Sequence, residues 1–452
     1  MKNQYLKNPL RSLLASLIAL TVVFALPVKT AGAAERKTIV VLSNHNDDTL
    51  ALFEEAFEKA QPRYRIKLVW LMPPDAMKML RREDSDTPDV WWQAAPHNHL
   101  ADLAKDDIMQ PLGIAADGLP DVIGNVPLVD DKGLYRATQL TAFAFLINRQ
   151  AIAEQHLPWP ADWTVLAQPE YAGKVAISDP AKIRFGNTVL DVALQGYGWD
   201  KGWAMLSAIA GNAVLMPNGL TDEVSSGRQP VALHLDIVPN AEQRYREPPE
   251  LVYPLHGGIV GAGYIGILKR TKQIEGARAF VSFVLSDAGQ RLMTHTDLPR
   301  LPVRPAVYAE LGKDQFNPFA AQNAGQFTFK LGDIGSTGTQ SGRQTLLAPL
   351  FAALTTDQPQ LAKLWARLHK AEQQAKPEYS SKVAAARHAL EQVPLSEAQA
   401  DSEDIKQAFR PVKDKDGKNT QSEEAKKYSA AWVEAYRKNQ AQAARLLDEV
   451  GA

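Results

Sequence analysis

The sequence predicts an α/β protein of more than one domain, and three observations carry that expectation. Apolar runs of strand length alternate with helix-length stretches from residue 37 to residue 293. The first unit has a β-α-β pattern, which implies parallel strands joined by a crossover helix. The chain has 452 residues, enough for two or three domains and a large core.

Residues 37–43 (KTIVVLS) read as a buried strand, followed by a polar turn from Asn44 to Asp48. Leu50, Phe53 and Phe57 then recur at helical spacing, and Asp47 and Asp48 suit the positive end of a helix dipole. Pro62 ends that helix, and residues 64–71 form the next strand. Val90-Trp91-Trp92 reads as a strand end, and residues 139–147 (QLTAFAFLI) as a long strand. Residues 175–178, 231–235 and 259–268 continue the series with helices between them. Residues 276–293 are helical, with Ser286 placed to start a second helix. From about 340 the chain turns to Ala, Leu, Gln, Lys and Glu, and residues 425–449 read as a final amphipathic helix. Residues 408–424 and the run GSTGTQSG (335–342) read as loops.

Composition narrows the function. Lys2, Lys7 and Arg11 precede an apolar run from Leu13 to Leu26, and Ala31-Gly32-Ala33 supplies small residues for cleavage. Residues 1–34 are therefore expected to be a signal peptide, because the run is short for a membrane span of ~20 residues. There is no cysteine, which excludes disulfides, a thiolate nucleophile, a thiolate metal site and lipid attachment through Cys. Removing the four basic residues of 1–34 takes the formal charge from −1 to −5, which argues against nucleic acid as a partner. No Walker lysine motif or G-x-S-x-G elbow occurs. GAGYIG (261–266) matches G-x-G-x-x-G but sits inside a strand-like run, so its glycines are expected where backbone passes close to backbone.

Several segments resemble one family. PEYAGKVAISDPA, GNTVLDVALQGYGWDKGWAMLSAIAGN, EVSSGRQPVALHLD, ARAFVSFVLSDAGQRLM and LPVRPAV fall in order between residues 169 and 307. Together they resemble the periplasmic solute-binding proteins of ABC importers, of the iron/spermidine/thiamine/sugar-phosphate type. The resemblance implies the two-lobed periplasmic-binding-protein (venus-flytrap) fold, closing on a ligand. Lobe one would be residues 36–142 plus 256–305, lobe two 143–255, with crossings near 141–148 and 253–263. Residues 306–452 would be a C-terminal helical region, expected to pack on lobe one.

The ligand cleft of such a fold lies at the carboxyl ends of strands. That places four loops there, each with a plainer structural alternative. Ser43, Asn44 and His45 precede a helix start and suit an oxyanion, or simply cap the helix. Trp91-Trp92-Gln93 offers aromatic faces and an amide, or core packing. Ser178, Asp179, Arg184, Asn187 and Thr188 form a strand–turn–helix corner, where Arg184 would match a phosphate or carboxylate. His234 and Asp236 share one strand face and would hold hydroxyls, or form a satisfied buried pair. His97 and His99 form an HxH pair better read as an exposed loop.

The expected function is non-enzymatic capture of a small phosphorylated or carboxylated organic anion in the periplasm, with no cofactor and no resident metal, for a membrane permease. Phosphoglycerates and sugar phosphates are the candidates. The alternatives are a sensor that signals to a membrane receptor or kinase, and a ferric-ion binder, although no adjacent tyrosine pair is present.

Overall fold

The computed structural model describes residues 35–82, 87–94, 99–124, 126–180, 182–183, 186–217, 219–236, 249–256, 258–295, 300–312, 315–324, 342–374, 376–415 and 419–452. The expected signal peptide, Arg184, His97 and most of 335–342 lie outside that set.

The β-α-β start forms as the sequence suggests. Strands Lys37–Ser43 and Tyr64–Trp70 run parallel, joined by the helix Asp47–Ala60. Asn46 caps that helix, its side chain accepting the Thr49 N–H at 3.2 Å, and Leu50, Phe53 and Phe57 face the core. The main sheet runs Tyr64–Trp70, Lys37–Ser43, Val90–Gln93, Ile259–Leu268, Tyr135–Ile147, Val231–Leu235, Val175–Ser178, Ala213–Met216.

One strand serves both lobes. Tyr135–Ile147 is longer than the sequence suggested, at 13 residues. Up to Ala142 it pairs with Ile259–Leu268 and with Leu301–Pro302. From Phe143 it pairs with Val231–Leu235 and Glu250–Val252. Its side chains divide at the same point. Ala137, Leu140 and Ala142 lie in a core with Ile39, Trp92 and Phe280, whereas Phe143, Phe145 and Ile147 lie in another with Trp163, Leu190 and Trp203. The protein is two-lobed α/β with a helical C-terminal region. The G-x-G-x-x-G run is internal to Ile259–Leu268, and a Cβ at Gly263 would sit 2.6 Å from the Gln93 carbonyl oxygen. Close backbone approach accounts for that glycine.

The C-terminal helices correct one expectation. Gln344–Leu354, Gln358–Gln374, Ser380–Glu391 and Glu423–Glu449 pack into the second lobe's core, not onto lobe one. The cause is the helix Trp199–Asn212, which is buried at nearly every position. A helix apolar on all sides needs cover on both faces, and the sheet supplies only one. Trp365 fills the outer face beside Gly211, where a Cβ would come within 2.4 Å of its ring. Trp199 Nε1 donates to the Leu395 carbonyl at 2.7 Å, and Ser207 Oγ to that of Leu390 at 2.6 Å. Within 408–424, expected as a loop, Val412–Lys413 and Asn419–Thr420 pair as a small hairpin, and Ser422 caps the last helix.

Two outcomes follow. Gly211→Ala should lower stability by about 1–3 kcal/mol in urea unfolding, because the added methyl overpacks against Trp365. Deleting residues 408–452 removes Phe409, Trp432, Tyr436 and Leu447 from the lobe-two core. The truncated protein should lose its cooperative melt; a transition like that of the full chain would contradict the shared core.

Candidate functional site

Where the long strand passes from one lobe to the other, polar side chains from both lobes are buried together. From lobe one, Ser43 ends the first strand, His45 lies two residues beyond it, and both are buried. Ser43 Oγ donates to the Trp92 carbonyl at 2.8 Å and lies 2.9 Å from His45 Nδ1. His45 Nε2 lies 3.3 Å from Gln139 Oε1. The imidazole packs on Trp92 with centroids 4.1 Å apart. Burial, helped by the nearby Arg300 charge, pulls the imidazole down to about 3.

From lobe two, Asp236 ends the strand Val231–Leu235. It is fully buried and exchanges two hydrogen bonds with Ala142: its N–H donates to the Ala142 carbonyl, and its Oδ2 accepts the Ala142 N–H, both at 3.0 Å. The Tyr253 hydroxyl donates to the same Oδ2 at 3.5 Å. Asp236 Oδ1 accepts no hydrogen bond among the described residues. Burial pushes the carboxyl up to about 7, opposed by the Arg300 charge and the bond from Ala142. Burial also raises the Tyr253 and Tyr308 phenols well above their usual range, so both stay protonated.

Arg300 joins the two sides. It immediately precedes Leu301–Pro302, which pairs with Leu140 and Gln139 at the middle of the long strand. Its side chain is buried, and its charge acts on His45, Asp236 and Tyr253 together. A desolvated guanidinium amid hydroxyls, an imidazole and a carboxyl is suited to binding an anion with directed donors.

The cluster takes in Ser43, His45 and Asp236 of the residues marked by the sequence. Asn44 is half-buried and accepts the Ala94 N–H at 2.9 Å. Gln93 is buried and engages His99, with Nε2 2.8 Å from His99 Nδ1. Trp91 and Trp92 are both core residues. His234 is buried opposite Ala144.

The strand–turn–helix corner lies elsewhere. Asp179 pairs with Lys182 at 3.0 Å, Ser178 pairs with Met216, and Thr188 is buried. Asn187 Oδ1 accepts the Ala348 N–H at 2.6 Å, and a cavity of about 380 Å³ separates this corner from Pro349, Ala352 and Val433. The corner therefore faces the C-terminal helices. Arg184 lies outside the described residues.

The sequence did not mark Arg300, Tyr253 or Gln139 as site candidates, although the structure places them in this cluster. A signal existed for Gln139: in the otherwise apolar run 139–147, Gln139 and Thr141 alternate onto one face. Among the described residues no three His, Asp or Glu side chains gather as a metal site.

The family model described as "Bacterial extracellular solute-binding protein" matches residues 86–323. The chain belongs to that family. Its members are binding proteins for small solutes rather than enzymes. Over 245 residues this solute-binding protein is 31% identical to the phosphoglycerate transport regulatory protein PgtC of Salmonella typhimurium, covering 53% of this chain and 58% of the relative. The chain thus spans less than two thirds of that relative's length. It is 29% identical over 166 residues to an uncharacterized protein of Haemophilus influenzae, covering 36% of this chain and 48% of that one. A solved substrate-binding protein of an ABC transporter from Agrobacterium tumefaciens shares the fold, with a TM-score of 0.53 at 17% identity over 72% of this chain and 95% of that one. No helix among the described residues is long and apolar enough to cross a membrane.

His45 generates a pH prediction. Its folded-state value is depressed below the ordinary 6.5, so protonation favours the unfolded chain. Stability should fall as pH drops from about 6.5 toward 3, by up to about 4 kcal/mol from this group. His45→Asn should flatten that part of the stability curve relative to the parent, read by thermal melts. Parallel curves for the two proteins would contradict a buried neutral imidazole.

Proposed function

We propose that this protein captures a small phosphorylated or carboxylated organic anion between its lobes in the periplasm and delivers it to an ABC importer. The observation that carries the reading is Arg300, a buried cation whose charge reaches groups from both lobes. A ligand held there contacts both lobes at once and so favours the closed form. Ser43 and His45 supply polar groups from lobe one, and Tyr253 from the lobe-two side. The family supports solute capture, and the name of the Salmonella relative supports a phosphoglycerate.

The same name includes transport regulation, which favours a second reading. In it the captured anion is reported to a membrane sensor, and residues 324–452, beyond the family match, would form part of the docking face.

Binding is tested by thermal shift with 3-phosphoglycerate, 2-phosphoglycerate, phosphoenolpyruvate, fructose 6-phosphate and ferric citrate. A phosphorylated carboxylate at about 100 times its Kd should add about 2.7 kcal/mol of stability. Arg300→Gln should weaken binding at least tenfold, the loss of about 1.5–3 kcal/mol that a hydrogen bond to a charged group contributes. A response to ferric ion with none to any organic anion would overturn the reading.

A further inference from the structure

Asp236 has the anatomy of a group that changes its proton when the site fills. Oδ2 is committed to the Ala142 N–H and the Tyr253 hydroxyl, and the carboxyl is fully buried. Oδ1 is equally buried and accepts nothing among the described residues. The charged and titratable groups around it are Arg300, ahead of Leu301–Pro302; Tyr253, after Glu250–Val252; and Tyr308, in the turn Pro305–Glu310. His45, from lobe one, is linked to it through the charge of Arg300. Arg300 contributes the positive charge, both phenols are neutral, and the imidazole is neutral. In the empty site above about pH 7, then, Asp236 as carboxylate is the anion that balances Arg300.

An organic anion arriving at Arg300 displaces that role. Two negative charges would then share one buried cation, an arrangement that low-dielectric surroundings disfavour. Protonation of Asp236 restores the balance. It also makes Oδ1 a donor directed at an acceptor-rich ligand, as a carboxylic acid kept neutral in an apolar site can act. We propose that Asp236 holds the bound anion as its protonated acid, donating from Oδ1, so that each anion is captured together with one proton.

The proposal rests on the anion reading and deepens it. It distinguishes this site from one that holds its ligand through fixed cations alone. The ordinary carboxyl value is 3.8, and in this fold the group sits at about 7. An anion beside Arg300 cancels the one charge that holds it down, and raises it further. Proton uptake on binding is therefore small at about pH 6, where the acid form already prevails, and approaches one proton at about pH 8.

Isothermal titration of the purified protein with 3-phosphoglycerate, in buffers of different ionisation enthalpy, counts the protons. Asp236→Asn is the matched variant. Its amide oxygen still accepts the Ala142 N–H, and its nitrogen donates where Oδ1–H would. At about pH 8 the parent should take up nearly one proton more than the variant, and at about pH 6 the two should agree. Above about pH 7 the parent's Kd should rise toward tenfold per pH unit relative to the variant. The phosphate of the ligand titrates in both experiments and cancels in the difference. Equal proton counts at both pH values would overturn the proposal, as would a variant more than tenfold weaker at about pH 6. Absence of binding by the parent to every anion at every pH would instead overturn the anion reading itself.

Discussion

The reciprocal pair of hydrogen bonds between Asp236 and Ala142 fastens the point on which the rest of the molecule depends. One residue later the long strand changes partners and core. Lobe two is thereby tied to lobe one at the residue whose other carboxylate oxygen is buried and accepts nothing among the described residues. A buried carboxyl with one oxygen unsatisfied is costly to keep as an ion, which is tolerable only where a cation lies close. Arg300 supplies that cation, and the charge of each accounts for the burial of the other.

The second connection between the lobes is fastened differently. His256, just ahead of Ile259–Leu268, places Nδ1 2.5 Å from Asp162 Oδ2, which also accepts the Tyr197 hydroxyl at 2.6 Å. The first bond ties the connection to lobe two, and the second holds the Asp162 carboxylate that receives it. The C-terminal helices belong with that lobe as well, because Trp365, Trp432 and Leu447 share its core. They are therefore part of the lobe-two body.

Much of the fold was legible in the sequence because burial leaves a periodic mark. The strands at 37–43, 175–178, 231–235 and 259–268 have the ends their apolar runs suggested. The length of Tyr135–Ile147 was less legible, since its first residues include Arg136 and Thr138, polar groups satisfied inside the fold by carbonyls at 119 and 120 and by Trp92. The position of the C-terminal helices was readable only indirectly, through the all-round apolar character of WAMLSAIAG. The site was harder still. Ser43, His45 and Asp236 end strands, where pattern points. Arg300 sits in a connection, and only the pairing of Leu301–Pro302 with the long strand brings it to the centre. Asn187 has every local mark of an anion corner, yet its side chain is held by Ala348, 161 residues away in sequence.

The most direct measurement of this account is a crystal structure of the protein with its anion bound. The account predicts the anionic group within hydrogen-bond distance of Arg300, with Asp236 Oδ1 and a residue of lobe one also touching the ligand. An anion seated instead at Asn187 and Thr188, with the Arg300 cluster unchanged, would contradict it.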